Sequence, residues 1–313
     1  MKSVLPRGSA VFTAGTVVLL AVTLVVLQAL GADRREHSIA DLSLVTSLRS
    51  SNAKNELEKA RSDAILWSSF GGIIQRLTDL EEAWLAMGSN AGTVLERLYV
   101  RENPFPESER FLLMDPGDGS PYSVIHAEFE SRVQEFLEIH GYDDLLLLTP
   151  SGRVVYSFRK EEDFGADLLT EPWQETPLAQ VARAASALGP GVPSIADFAP
   201  YGPRGGDWAL FIGASIHGAG SVGEGGAFVL RLTPKHIGGH LVRSDQQRKT
   251  AASMILGDGY RILGRPPWIE EAAPDDPIEQ KIRNLARESG DGGGVLRDRD
   301  GNEVLVAWET VTF

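Results

Sequence analysis

The chain has 313 residues, a formal net charge of −13, 42% apolar residues and 23% charged ones. That composition supports packed cores, and the acidic balance argues against a nucleic-acid partner, whose phosphates would release no counterions to it. The absence of cysteine excludes disulfides, thiol nucleophiles, iron–sulfur clusters and cysteine-ligated zinc, and the length suggests roughly two domains.

Gly8 through Ala32 contains no charged residue, and its centre is Val17-Val18-Leu19-Leu20-Ala21-Val22-Thr23-Leu24-Val25-Val26-Leu27. A helix that crosses a bilayer needs ~20 such residues, so a transmembrane helix is expected over 10–32, after a cytoplasmic start at 1–9. The apolar core is longer than that of a cleaved signal peptide, and Ala29-Leu30-Gly31 is a poor cleavage site. Lys2 and Arg7 before the run nearly balance Arg34 and Arg35 after it. The short polar start makes an inside N-terminus the simpler insertion. This gives a single anchor in the inner membrane, lipid contact through one helix, and a periplasmic bulk.

From Arg35 to Trp67 apolar residues recur at helical spacing: Ile39, Leu42 and Val45, then Leu57, Ala60, Ala64 and Trp67. A long helix is expected to continue out of the membrane, until Gly71-Gly72 interrupts it. Shorter helices follow at Ile73–Met87 and Thr93–Val100, closing a helical segment over 33–122. Another helix runs from about Ser123 to His140.

Strand patterns begin next. Asp144–Thr149 and Arg153–Phe158 flank the turn Pro150-Ser151-Gly152 as a hairpin. Thr176 caps a helix with Pro177 at its first position, and strands are expected at Ser194–Ala199, Asp207–Ile216 and Gly226–Leu232. Thr233-Pro234 opens a helix reaching about Arg248. A shorter version of this order follows: strands Ser253–Leu256 and Tyr260–Leu263, a helix capped by Asp276, and strands Val295–Arg297 and Glu303–Thr310. The chain stops inside that last pattern, so the second module is expected to be incomplete. The fold class is therefore α+β: a transmembrane helix running into a long helix, then two tandem antiparallel-sheet modules at 123–248 and 249–313.

Tyr142-Asp143-Asp144-Leu145-Leu146-Leu147-Leu148 with Gly152-Arg153-Val154-Val155-Tyr156-Ser157 forms a strand–turn–strand opening. Lys160-Glu161-Glu162-Asp163-Phe164-Gly165-Ala166-Asp167-Leu168 follows it. Asp197-Phe198-Ala199-Pro200-Tyr201 and Phe211-Ile212-Gly213-Ala214 come next in order. This layout resembles the double Cache sensor domains of bacterial transmembrane receptors, such as methyl-accepting chemotaxis proteins. The resemblance implies two PAS-like modules, a membrane-distal one at 123–248 and a membrane-proximal one at 249–313. It also implies a homodimer and a small-molecule ligand in the distal module, with an amino acid or a carboxylate as the expected class. The family's amino-acid signature of clustered Tyr, Arg and Trp on one strand is not evident.

Lys160, Asp163, Asp197 and Tyr201 form the candidate ligand site, with Tyr156, Trp173, Trp208 and Phe211 as walls. A pocket needs a few convergent polar groups on an apolar floor. Lys160 would hold a carboxylate, and Asp197 an amine or hydroxyl. Taken singly, the acids equally suit loop capping and the aromatics suit the core. Arg231 falls by alternation with Ala227 and Val229, which reads as a solvated strand face or, less simply, as a pocket guanidinium. His236 and His240 share a metal-compatible spacing, but two ligands make no site. Asp298, Asp300 and Asn302 mimic a calcium loop that has Glu303 where glycine is required. No metal or cofactor is implied.

No G-x-S-x-G elbow, P-loop or helix-opening G-x-G-x-x-G is present, so an enzyme is not expected. Small-molecule sensing is the leading reading and a periplasmic protein-interaction module the alternative. A hollow first module would favour the former, a solid one the latter.

Overall fold

A computed structural model describes residues 19–26, 32–202, 206–217, 225–237, 251–256, 262–264, 281–282, 284–285, 288, 290–297 and 301–311. The chain is a mixed helix and antiparallel-sheet protein built on one long helix, α1 (Ala32–Ser68). At 1.5 Å per residue, α1 spans about 55 Å, long enough to run past two sheets. Helices α2 (Gly71–Ala86) and α3 (Ala91–Glu96) follow, the latter continuing into a π turn at Arg97–Arg101. A 3-10 turn at Glu107–Leu112 leads to α4 (Pro121–His140). Ser120 caps α4 by accepting a hydrogen bond from the Ser123 amide at 3.1 Å, and left-handed Gly141 ends it.

The first sheet contains β2 (Asp144–Leu148), β3 (Val154–Ser157), β4 (Ser194–Pro200), β5 (Trp208–Ser215) and β6 (Ala227–Leu232), in the order β3-β2-β6-β5-β4. Every pairing is antiparallel. Helix α5 (Pro177–Leu188) connects β3 to β4, and Thr176 Oγ1 accepts from the Ala179 amide at 3.3 Å.

The sheet is covered on both faces, which is why its strands read as continuous apolar runs. Leu145, Leu147, Leu210, Ile212, Phe228 and Leu230 face α1, α2 and α4, where Leu57, Ala60 and Ala64 of α1 are fully buried. Leu146, Leu148, Ala209, Phe211, Ala227 and Val229 face α5. Arg231 continues the second row, as the period of two requires.

The second sheet has the order β8-β7-β1-β10-β9. Its strands are β1 (Leu19–Val26), β7 (Ala251–Leu256), β8 (Ile262–Gly264), β9 (Gly292–Arg297) and β10 (Glu303–Val311). Leu42 of α1 packs on Leu305 and Ala307 of β10. The expected helices from Asp276 and beyond Ile237 fall largely outside the described residues, as do His240, Asp298 and Asp300.

One expectation is corrected here. Leu19–Val26, at the heart of the expected transmembrane helix, is a strand paired with β7 and β10 on its two sides. Among the described residues no helix is long and apolar enough to cross a membrane. The reason is physical: an apolar run satisfies its backbone either by internal helical bonds or by two neighbouring strands. Val22, Thr23, Val25 and Val26 are β-branched and lower the cost of the extended form.

Candidate functional site

A cleft of about 380 Å³ opens at the α5 side of the first sheet, where β6 ends and the segments after β3 and β4 meet. That volume lies at the low end of the range for small-molecule sites. Asp163, Trp173, Tyr201 and Arg231 form its inner wall, and Glu107, Glu161, Glu162 and Asp207 surround them.

Arg231 is buried and is directed into this corner by the β6 alternation. Its Nη1 donates to Glu161 Oε2 at 2.7 Å, its Nε lies 3.3 Å from Asp143 Oδ2, and its guanidinium sits 5.4 Å from the Tyr201 ring centre. Burial opposes the charged guanidinium, but the carboxylates of Glu161, Asp143 and Asp144 outweigh it and raise the pKa.

Asp163 is 1% exposed. Its Oδ2 accepts from the Tyr201 hydroxyl at 2.5 Å, while its Oδ1 has no hydrogen-bond partner. Burial and then the nearby Glu161 push its pKa up to about 6, against the Tyr201 hydrogen bond and Arg231. Trp173 and Tyr201 lie with ring centres 6.1 Å apart, and Phe211 packs edge-on behind Tyr201 at 4.7 Å.

Of the residues proposed from sequence, Asp163, Trp173 and Tyr201 line the cleft, and Phe211 supports it from behind. The structure places the others elsewhere. Tyr156 pairs with Leu147, whose side chain faces α4, and its hydroxyl donates to Glu130 Oε2 at 2.6 Å. Lys160 has a left-handed backbone with φ 55°, which turns its side chain under the sheet. There its Nζ pairs with Glu130 Oε1 and donates to the Phe158 carbonyl at 3.1 Å. Lys160 is thus fully buried and cannot hold a ligand carboxylate in the cleft. Asp197 sits at the irregularity in β4 and accepts from the Phe198 amide at 2.7 Å. Trp208 packs against the core on the α1 side.

Glu130, Lys160, Tyr156 and His126 form a second polar cluster, fully enclosed between α4 and the sheet. Burial raises Glu130 to about 7, although Lys160 and Tyr156 pull the other way. Burial, and then Lys160, hold His126 well below its ordinary pKa, so its ring is neutral. His126 and Glu130 follow Tyr122 at four-residue steps on the inward face of α4, and that spacing was the signal in the sequence for this cluster. The cleft acids Glu107, Glu161, Glu162 and Asp207 had no such signal, because loops carry no periodicity.

No family and no curated protein matches the sequence. Among solved structures, the chain is similar to the sensor domain of the Vibrio cholerae histidine kinase DctB. The two are 13% identical over 88% of this chain and 98% of that one, with a TM-score of 0.46. It is also similar to the ligand-binding domain of the Campylobacter jejuni chemoreceptor Tlp3 in complex with L-norvaline, with 9% identity, 91% and 96% coverage and a TM-score of 0.47. A third is the ligand-binding domain of the Pseudomonas fluorescens chemoreceptor CtaA in complex with L-serine, with 13% identity, 89% and 98% coverage and a TM-score of 0.40.

Proposed function

We propose that this chain is the small-molecule-sensing part of a bacterial membrane receptor and that the cleft beside Arg231 is its ligand site. The observation that carries the reading is the convergence of the buried Asp163, Trp173, Tyr201 and Arg231 on a hollow region at the end of the first sheet. A solid first module would have favoured an interaction domain. Ligand draws the segments around Asp163 and Tyr201 together and favours one arrangement of β5 and β6. Those strands pack on α1, which receives the shift. A coupling of ~1–3 kcal/mol is the usual scale for such communication.

In this reading, residues 10–32 anchor the chain in the inner membrane, 33–122 form the long helix and helical segment, and 123–248 form the distal sensing module. Residues 249–313 lie nearest the bilayer, with the bulk of the chain in the periplasm. The charge-free run of Gly8 to Ala32 supports this arrangement. Lipid and the second sheet then compete for Leu19–Val26. A homodimer along α1 completes the picture. Leu44 and Leu48, one turn apart, are 63% and 59% exposed and form an apolar strip for a second copy.

The test is a thermal-shift screen of the full chain in detergent micelles against a library of amines, amino acids, carboxylates and sugars, followed by calorimetry. A solute that raises the melting temperature and loses affinity in the Tyr201→Ala variant supports the site. A library in which no solute shifts melting overturns the sensing reading.

A further inference from the structure

Among the described residues, five carboxylates line the cleft, those of Glu107, Glu161, Glu162, Asp163 and Asp207, against one guanidinium. The guanidinium of Arg231 already donates to Glu161 through Nη1, lies 3.3 Å from Asp143 through an Nε that makes no hydrogen bond, and rests against the Tyr201 ring. An incoming carboxylate would approach it beside Glu161 and Asp143 and among the other acids of the lining. Asp163 offers the opposite: a carboxylate oxygen, shielded from water, whose hydrogen-bonding capacity is unused. A buried acceptor left unpaired costs ~1–3 kcal/mol, and a ligand N–H donor removes that cost. The indole of Trp173 adds a π face suited to a cation. Among the described residues no three acids are grouped in a way that could hold a metal ion, so the complement is an organic cation. Two observations thus coincide: the charge of the described lining and the unpartnered acid.

Building on the sensing reading, we propose that the ligand is an aliphatic amine carrying no carboxylate, with its ammonium group donating to Asp163. The amine chain runs along Trp173, and the rim acids Glu162 and Asp207 draw a second positive charge. This replaces the amino acid or carboxylate expected from the sequence. Asp163 must be ionised to pair with the ligand, so binding strengthens as pH rises from 5 to 7.

The experiment is isothermal titration of the full chain in detergent micelles with 1,4-diaminobutane, L-ornithine, succinate and calcium chloride. L-Ornithine is the diamine with a carboxylate added, so the comparison isolates that group. We expect 1,4-diaminobutane to bind at least tenfold tighter than L-ornithine, and succinate and calcium not to bind. Asp163→Asn should weaken the diamine at least tenfold. Glu162→Gln, an exposed position that does not threaten folding, should weaken it about threefold. Diamine affinity should rise several-fold between pH 5 and pH 7. Tighter binding of L-ornithine or succinate overturns the amine assignment and leaves sensing intact, and binding of calcium alone overturns it likewise. Failure of the diamine to bind also overturns it, and whether sensing falls too is decided separately by the broad library. An Asp163→Asn protein that melts normally and binds the diamine unchanged refutes the contact itself.

Discussion

Replacing Lys160 by Met removes the one cation that, among the described residues, touches Glu130. Lys160 and Glu130 are 0% and 1% exposed as side chains, so water cannot substitute. In the native protein burial already raises Glu130 from 4.5 to about 7. A folded pKa above the unfolded one means that the folded state holds the extra proton. Stability on this account is complete below pH 4.5 and declines by about 1.4 kcal/mol per pH unit up to about 7, where the paired carboxylate ionises and the decline stops. Without Lys160 only the Tyr156 hydroxyl supports the ionised form, so the decline continues above pH 7. The Lys160→Met protein should therefore lose up to about 3 kcal/mol more than the native chain between pH 7 and pH 9. Taking the difference between the two proteins cancels the titrating groups outside this cluster and any pH-independent packing defect, and the burial-lowered pKa of Lys160 itself acts in the same direction, since it raises native stability as pH rises. Urea unfolding followed by tryptophan fluorescence across that range measures it. The double variant Lys160→Met with Glu130→Gln should flatten the profile again. Parallel native and Lys160→Met curves from pH 7 to 9 would refute the reasoning, because Glu130 would then not be the group whose charge Lys160 supports.

Arg231→Leu should cost about 3–5 kcal/mol at pH 8, since it leaves Asp143, Asp144 and Glu161 facing one another. Burial raises Asp144 to about 8, so its protonated form favours the fold and the loss should shrink at pH 5; an equal loss at both values in chemical denaturation would contradict this. Gly165 has φ +83°, and a Cβ there would lie 2.7 Å from the Gly92 carbonyl oxygen, so Gly165→Ala should cost about 1–3 kcal/mol, readable as a lowered melting temperature. Thr176→Ala removes the α5 cap and should cost about 1 kcal/mol in the same measurement. Produced in bacteria, the full chain should remain with membranes through alkaline carbonate extraction; its release would argue against the anchor.

The first sheet was legible because its signals are local. The apolar run Asp144–Thr149 marked β2, alternation placed Arg231 with Ala227 and Val229 opposite Phe228 and Leu230, and Thr176-Pro177 marked α5. The candidate site was legible only in part. Asp163 and Tyr201 were within reach because they fall in motif-bearing stretches, and Trp173 because it is an aromatic side chain between them in sequence. Lys160 was not, because its direction depends on one left-handed backbone angle that no residue pattern announces. Arg231 had the right parity, but whether its face meets solvent or a covered corner depends on segments far away in sequence, around Glu107 and Asp163. Leu19–Val26 shows the limit of composition: the same apolar letters suit a lipid-spanning helix and an inner strand, and only the surroundings decide between them.

The α1 face turned toward the first sheet bears Ala53, Ala60 and Ala64 around Leu57, all nearly or fully inaccessible. Methyl-sized contacts bring a rod so close to the strands beneath it that no soft side chain is left to absorb a displacement. The same rod meets β10 through Leu42 with no break between the two footings. A tilt begun at one footing thus arrives at the other as a tilt, the way a keyed axle turns both its wheels.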